Sequence, residues 1–230
     1  ALRALLEHNP ARQRVVVVCD GISACCGEPA PLRAYLQALP PDGVLLVDDT
    51  QALGLLGMQP KPQQPYGAGG GGSLRLHDLQ DERILLVCSL AKGFGVPLAV
   101  LSGSWANIDA FRRTSQTRLH CSPPSVPAAL AATQALALNA ARGESARQRL
   151  AALVKFFRAE LARRGLRPQQ GLFPVQSVHL APGTSLQALQ RRLRDAGLKA
   201  VPRWCQEHDL PCLSFVITAR HTPQELVYAA

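Results

Sequence analysis

The sequence predicts an α/β fold: a mainly parallel sheet flanked by helices, followed by a small α+β domain. Short, continuous apolar runs punctuate the first half of the chain, at residues 15–19, 44–47, 84–88 and 98–101. Between the first two runs, a helical pattern starts after Pro31 and ends at Pro40. Continuous apolar strands are typical of sheets covered on both faces, and a strand–helix–strand unit makes its two strands parallel.

Residue patterns also predict the loop and helices between residues 60 and 165. Residues 60–73 are rich in Pro, Gln and Gly and predict a loop, and residues 104–113 predict a short helix. Residues 127–165 predict a long helical region with a break near Gly143. We interpret its arginines as a solvated polar face: Arg147, Arg149, Arg158, Arg163 and Arg164.

The pattern changes after Gly171. A strand, a helix and two further strands are predicted at residues 175–180, 186–196, 198–201 and 213–218. We therefore predict that residues 1–166 belong to a large domain and residues 167–230 to a small C-terminal domain. Because a helical pattern already begins at Leu2, we expect that further residues precede this chain.

Charge and cysteine content narrow the class of protein. Lys and Arg number 25 against 16 Asp and Glu, a net charge of +9, but no basic run reaches five and aromatic residues are only 5%. This argues against nucleic-acid binding and fits a phosphate-bearing small ligand equally well. The seven cysteines form no C-x-x-C pair, which predicts reduced thiols in a cytoplasmic protein and no metal site. No signal peptide is visible, and the longest apolar stretch is too short to span a bilayer.

Three glycines, Gly67, Gly69 and Gly72, match the spacing of a dinucleotide-binding fingerprint. No strand precedes them, and no acidic residue follows at the required distance. We interpret this stretch as a flexible loop.

Chemically useful side chains follow three of the apolar runs. They are Asp20 after the first run, Asp48 and Asp49 after the second, and Ser89 with Lys92 after the third. Open α/β sheets place ligands at the carboxyl ends of their strands, so these residues should converge on one crevice. Desolvation at an apolar sheet edge would favour a neutral, nucleophilic Lys92 amine. A structural lysine, and an Asp48 that caps a turn, are the alternatives.

At these positions the sequence resembles the fold-type I enzymes that use pyridoxal 5'-phosphate (PLP), and among them the α-oxoamine synthases of the 8-amino-7-oxononanoate synthase type. The segments that carry the resemblance are VCDGISACCGEPAPL at residues 18–32, LVDDTQALGLLG at residues 46–57 and SLAKGFG at residues 89–95. The similarity runs from end to end of this chain, and covers only the middle and C-terminal parts of a family member.

The resemblance implies a role for five residues. Lys92 is implied to form the Schiff base with PLP and Asp48 to pair with the pyridinium nitrogen. Ser89 stands at a phosphate-contacting position, and Gln51 stands where the family has a His beside the phenolic oxygen. Ser122 lies where the family supplies a phosphate contact from a neighbouring subunit, which implies a homodimer or a heterodimer with a related subunit.

Other positions depart from the family pattern. The family's Ser and Asp in the first segment are Ala24 and Cys26, and Ser214 replaces the arginine that binds the substrate carboxylate. Serine offers no bidentate, charge-assisted contact. Our hypothesis is that Arg203 or Arg220 takes over that contact.

The resemblance implies a PLP-dependent acyltransferase that condenses an amino acid with an acyl-CoA or acyl-carrier thioester. The departures leave a second interpretation open, namely a catalytically degenerate partner subunit or paralogue, like the non-catalytic subunit of serine palmitoyltransferase. A third is a PLP-dependent aminotransferase or lyase, although its carboxylate-binding arginine would be missing too.

Overall fold

The structure is a computed structural model that describes residues 2–7, 14–23, 27–168, 171–181, 183–205 and 210–230. They divide into two compact units. The first comprises residues 1–22, 29–62 and 66–144, and the second comprises residues 23–28, 63–65 and 145–230. Residues 145–166 thus group with the second unit, whereas the sequence placed them in the first domain.

The first unit contains a four-stranded sheet in the order β1-β2-β3-β4. The strands are β1 (Val16–Asp20), β2 (Val44–Asp48), β3 (Ile84–Ser89) and β4 (Ala99–Gly103). Strands β1, β2 and β3 are parallel and β4 is antiparallel, which confirms the predicted mainly parallel α/β sheet. The helices are α1 (Leu2–Glu7), α2 (Leu32–Ala38), α3 (Ser73–Leu76), α4 (Trp105–Thr114) and α5 (Gln116–Leu119).

One face of this sheet builds the core of the first unit. Leu32 and Leu36 of α2 pack against Leu45 and Val47 of β2, and all four side chains are buried. The alternation of side chains along a strand puts β1 residues Val16 and Val18 on the opposite face. They are 54% and 67% exposed, so this face is open and apolar at β1.

Helix α6 (Val126–Arg163) is continuous, so the predicted break near Gly143 is wrong. One glycine costs a helix about 1 kcal/mol, which the surrounding alanines and leucines readily offset. None of the described helices combines the length and apolar composition that a membrane span requires.

The second unit has a three-stranded antiparallel sheet in the order β5-β7-β6. Its elements are β5 (Val175–His179), α7 (Leu186–Asp195), β6 (Val201–Cys205), β7 (Leu210–Val216) and α8 (Pro223–Ala229). Residues Val154, Phe157 and Leu161 of α6 pack with Val178 and Leu226 in its core. The predicted strand at residues 198–201 in fact starts at Val201, so its position was wrong.

Arg147 corrects the predicted solvated face of α6, because only 5% of this residue is exposed. It precedes Ala151, Val154 and Leu161 by four, seven and fourteen residues, which places it on the same buried stripe. Other arginines of this helix also contact protein groups and not only solvent. Arg158, for example, donates to the Gln176 side chain at 3.0 Å.

Candidate active site

The carboxyl ends of β1, β2 and β3 bring the predicted site residues together. Asp20 and Asp48 are directly paired across the two parallel strands, and Asp48 is paired in turn with Val87. Ser89 follows Val87 by two residues and therefore projects from the same face. It is also the face of Val16 and Val18, and on it Asp48 and Ser89 are half-buried and Asp20 is exposed.

Two hydrogen bonds through Thr50 connect the ends of β2 and β3. The Thr50 backbone N–H donates to Asp48 Oδ1 at 2.9 Å, and the Ser89 backbone N–H donates to Thr50 Oγ1 at 2.9 Å. Gln51 comes next in this turn and is half-buried. These bonds hold the Asp48 carboxylate and the Ser89 backbone next to Thr50 at one edge of the sheet.

Lys92 lies in the turn between β3 and β4, and its side chain is exposed. The buried residues of that turn are Leu90, with 0% exposure, and Val96, with 5%. The Leu90 backbone N–H donates to Leu98 O at 2.8 Å, and the Ala91 N–H donates to Ser89 Oγ at 3.3 Å. We expected the turn to bury Lys92 and so remove water from its amine. The turn buries Leu90 instead, and the Lys92 side chain stays exposed.

Asp49 is a residue whose role the sequence interpretation missed. It is fully buried on the other face of the sheet end, and accepts hydrogen bonds from the Ser73 backbone N–H and hydroxyl. Burial raises the pKa of the Asp49 carboxyl; the Ser73 hydrogen bonds oppose this effect and the Asp48 charge adds to it. The alternation of side chains in a strand could have shown that neighbours 48 and 49 point to opposite faces.

The remaining predicted residues lie elsewhere. Ser122 is exposed in the connection between α5 and α6. Ala24 and Cys26 fall outside the described residues. The Gly67–Gly72 stretch is a loop, but one in which Ala68 pairs with Met58 and Gly71 with Leu53.

Ser214, which the sequence resemblance aligned with the family's carboxylate-binding arginine, is buried in the second unit with 1% exposure. Its hydroxyl lies 2.7 Å from that of Ser177, directly opposite on β5. Arg203 is half-buried on β6, and Arg220 is exposed in the turn after β7. The contact attributed to these arginines stays a hypothesis.

Two thiols lie close to the Asp49 side of the sheet end. Burial, with smaller contributions from nearby aspartates, raises the pKa of both Cys19 and Cys88 to about 11. Both are therefore protonated, weak nucleophiles at neutral pH. Within the described parts of the chain, no group of three His, Cys, Asp or Glu side chains could hold a metal ion.

Comparison with known proteins gives a family match over the whole chain. The family model described as aminotransferase class I and II matches residues 1–230. The sequence is 32% identical over 228 residues to the 8-amino-7-oxononanoate synthase of Alkalilimnicola ehrlichii, a match that covers 96% of this chain and 54% of that protein. It is 30% identical over 200 residues to the enzyme of the same name from Marinobacter nauticus, covering 86% of this chain and 48% of that protein. The chain thus spans about half the length of these curated relatives.

Solved structures share the fold. A serine palmitoyltransferase from Sphingomonas wittichii superposes with a TM-score of 0.74 at 18% identity, covering 98% of this chain and 55% of that one. The 8-amino-7-oxononanoate synthase from Francisella tularensis superposes with a TM-score of 0.71 at 17% identity, covering 98% of this chain and 65% of that one. At these identities the likeness establishes the fold alone.

Proposed function

This chain belongs to the class I and II aminotransferase family, and from that premise we propose that it is part of a PLP-dependent acyltransferase of the 8-amino-7-oxononanoate synthase type. The proposed reaction condenses an amino acid with an acyl-CoA or acyl-carrier thioester. The observation that carries the proposal is the shared edge of β2 and β3, where Asp48, Thr50 and Ser89 are joined by hydrogen bonds. A cytoplasmic location and a dimer with shared sites belong to the same proposal.

The donor set fits PLP. Asp48 supplies a half-buried carboxylate at the end of a parallel strand, which suits a protonated ring nitrogen. Ser89 supplies a hydroxyl on the same face, which suits a phosphate oxygen. Lys92 supplies a primary amine three residues further on, which suits an aldehyde. When bound, PLP supplies an electron-withdrawing ring that stabilises a carbanion on the substrate.

Four residues of this chain would each have a separate role toward the cofactor and the substrate. Asp48 would hold a proton on the ring nitrogen, and Thr50 N–H would keep the Asp48 carboxylate oriented through its 2.9 Å bond. Gln51 would offer an uncharged amide donor to the cofactor's phenolic oxygen. Lys92 Nζ would bind the cofactor and, once released by the amino acid, would hold the proton exchanged at the substrate's α carbon.

A catalytically degenerate paralogue is the second candidate, and the observation that favours it is the Ser177–Ser214 pair. The resemblance aligns Ser214 with the family's arginine, and the Ser214 hydroxyl here is paired with the neutral hydroxyl of Ser177. Neither hydroxyl carries the charge with which an arginine would bind a substrate carboxylate. A degenerate protein would bind PLP without condensing an amino acid with a thioester.

Absorption spectroscopy of the full-length protein tests cofactor binding. We expect a visible band when PLP is added, and we expect Lys92→Ala to abolish it. Lys61→Ala is the matched control, because Lys61 is an exposed lysine of the same unit, outside the strand ends. A wild-type protein without the band, or a Lys92→Ala variant that keeps it, contradicts the proposal.

An activity assay separates the two candidates. Wild-type protein loaded with PLP is supplied with amino acids and with acyl-CoA or acyl-carrier thioesters, and the release of free thiol is followed. Thiol release that depends on the amino acid supports the acyltransferase. A visible band without turnover on any pair favours the degenerate paralogue.

A further inference from the structure

Asp49 directly follows Asp48 at the end of β2, and its side chain points to the opposite face of the sheet, into the interior of the first unit. Its side chain is fully buried, and the Ser73 backbone N–H approaches both carboxylate oxygens, at 3.2 and 3.1 Å. The Ser73 hydroxyl donates a further bond to Oδ1. Ser73 is itself 0% exposed. A buried carboxylate is costly unless it is hydrogen-bonded, so these contacts are what make the position tolerable.

Two glycines leave room for this carboxylate. A methyl group added at Gly21 would overlap Asp49 Oδ1, and one added at Gly72 would overlap Oδ2. Gly21 follows β1 and Gly72 precedes α3, so the carboxylate is packed between two segments that are distant in sequence. Any side chain at either position would displace it.

The backbone of the same residues continues the sheet. The Gly21 N–H donates to Asp48 O at 2.8 Å, and the Asp49 N–H donates to Val87 O at 2.8 Å. The Gly72 N–H donates to Leu56 O at 2.8 Å, and the Gly54 N–H to Gly70 O at 2.8 Å. Residues 70–72 are thus hydrogen-bonded to residues 54–56, which follow the turn that carries Gln51. The contact between Ser73 and Asp49 fixes the position of residues 70–72 and so supports this turn.

We propose that Asp49 and Ser73 are positioning residues, which fix the end of β2 and the following turn so that Asp48 and Gln51 meet the cofactor in the correct geometry. This inference rests on the proposed function. Neither residue would touch the cofactor, since Asp49 lies on the opposite face of the strand from Asp48. Asp49 and Ser73 would act indirectly. Their hydrogen bonds fix the backbone at the end of β2, and that backbone orients the Asp48 and Gln51 side chains.

The test uses the full-length protein with Asp49→Asn and Ser73→Ala. Asp49→Asn keeps the shape but replaces one accepting oxygen with a donor that faces the Ser73 donors. Ser73→Ala removes only the hydroxyl bond and retains the backbone N–H bond, so it serves even if Asp49→Asn does not fold. Three quantities are measured: PLP affinity by titration, the wavelength of the visible band, and the free energy of unfolding.

Ser104→Ala is the matched control. Ser104 is likewise a serine with a hydrogen-bonded hydroxyl, which accepts from the Asn107 backbone N–H at 3.4 Å, but it caps α4 at the opposite edge of the sheet from Asp48 and Ser89. We expect it to lower stability and to leave PLP affinity and the visible band unchanged. For Asp49→Asn and Ser73→Ala we expect PLP affinity to fall at least about tenfold and the band to shift, the scale seen when supporting contacts of metal ligands are removed.

The outcomes separate this inference from the proposed function. A wild-type protein that shows no band overturns both. A wild-type band, together with variants whose affinity and wavelength match the wild type, overturns the positioning role alone. A loss of affinity that follows the loss of stability equally in all three variants also overturns it, since it would reveal a purely structural pair.

Discussion

The hydroxyl oxygens of Ser177 and Ser214 lie 2.7 Å apart on neighbouring strands, and both residues are almost fully buried. Each hydroxyl is the other's partner, so removing one leaves the other unsatisfied. We expect either single change to alanine to lower the free energy of unfolding by about 1–3 kcal/mol. The double variant should lose less than the sum of the singles. Denaturant unfolding of all four proteins measures this coupling, and strict additivity would contradict it.

Phe157 is the largest fully buried side chain among the described residues, and its ring centre lies 5.4 Å from that of Phe215 in an edge-on arrangement. We expect Phe157→Ala to lower the free energy of unfolding by about 3–5 kcal/mol, because it opens a cavity in the second unit. Phe111→Ala is the control, since Phe111 is 39% exposed on α4. Equal losses in the two variants would contradict a core built around Phe157.

Arg149 holds the turn that follows β7. Its Nε donates to Ala219 O at 2.7 Å, and a terminal nitrogen donates to His221 O at 3.2 Å. Because the arginine is exposed, we expect Arg149→Ala to cost only about 1 kcal/mol of stability. Amide hydrogen exchange at residues 218–221 should accelerate, whereas Arg191→Ala, an exposed change on α7, should leave it unaltered. Unchanged exchange in Arg149→Ala would refute the anchoring role.

Two aspartates should respond to pH in opposite directions. Burial raises the pKa of Asp49, whereas the hydrogen bond from Arg83 lowers the pKa of Asp81. Above the ordinary value of about 3.9, the folded protein retains the Asp49 proton that the unfolded chain has lost, so this group's contribution to stability falls as pH rises. Asp81 is ionised in the folded state at lower pH than in the unfolded chain. Its contribution therefore rises with pH up to about 3.9 and is lost on acidification.

Urea unfolding of wild type, Asp49→Asn and Asp81→Asn between about pH 3 and pH 7 tests both signs. The stability difference between wild type and Asp49→Asn should shrink as pH rises. The difference between wild type and Asp81→Asn should grow. Parallel curves for the two comparisons would contradict the assignment.

The sheet was predictable because buried strands carry a simple signal. The runs at residues 15–19, 44–47 and 84–88 became β1, β2 and β3 with shifts of one residue at most at either end. Helix α6 was also predicted, but its break was not found, because the cost of one glycine is small beside the propensity of its neighbours. Arg147 was misjudged since composition suggested a solvated face, and only the spacing from Ala151 and Val154 indicates burial.

The site was predictable only where strand topology decides it. Parallel strands present their carboxyl ends at one edge, so Asp48 and Ser89 had to lie close together. The contact of Asp49 with Ser73 joins residues 24 positions apart in sequence, and no local pattern predicts it. The exposure of Lys92 could not be predicted either. Whether Leu90 or Lys92 is buried depends on the conformation of the turn before β4.

The exposed valines of β1 have a consequence for handling this polypeptide. Val16 and Val18 lie two residues apart on β1, the edge strand of the four-stranded sheet in the described part of the chain, and they offer an apolar surface at that edge. Such a surface attracts chaperones during synthesis and other strands at high concentration. We therefore expect these 230 residues, produced alone, to bind a hydrophobic dye and to precipitate. Replacing both valines with lysine should reduce the dye signal and improve recovery.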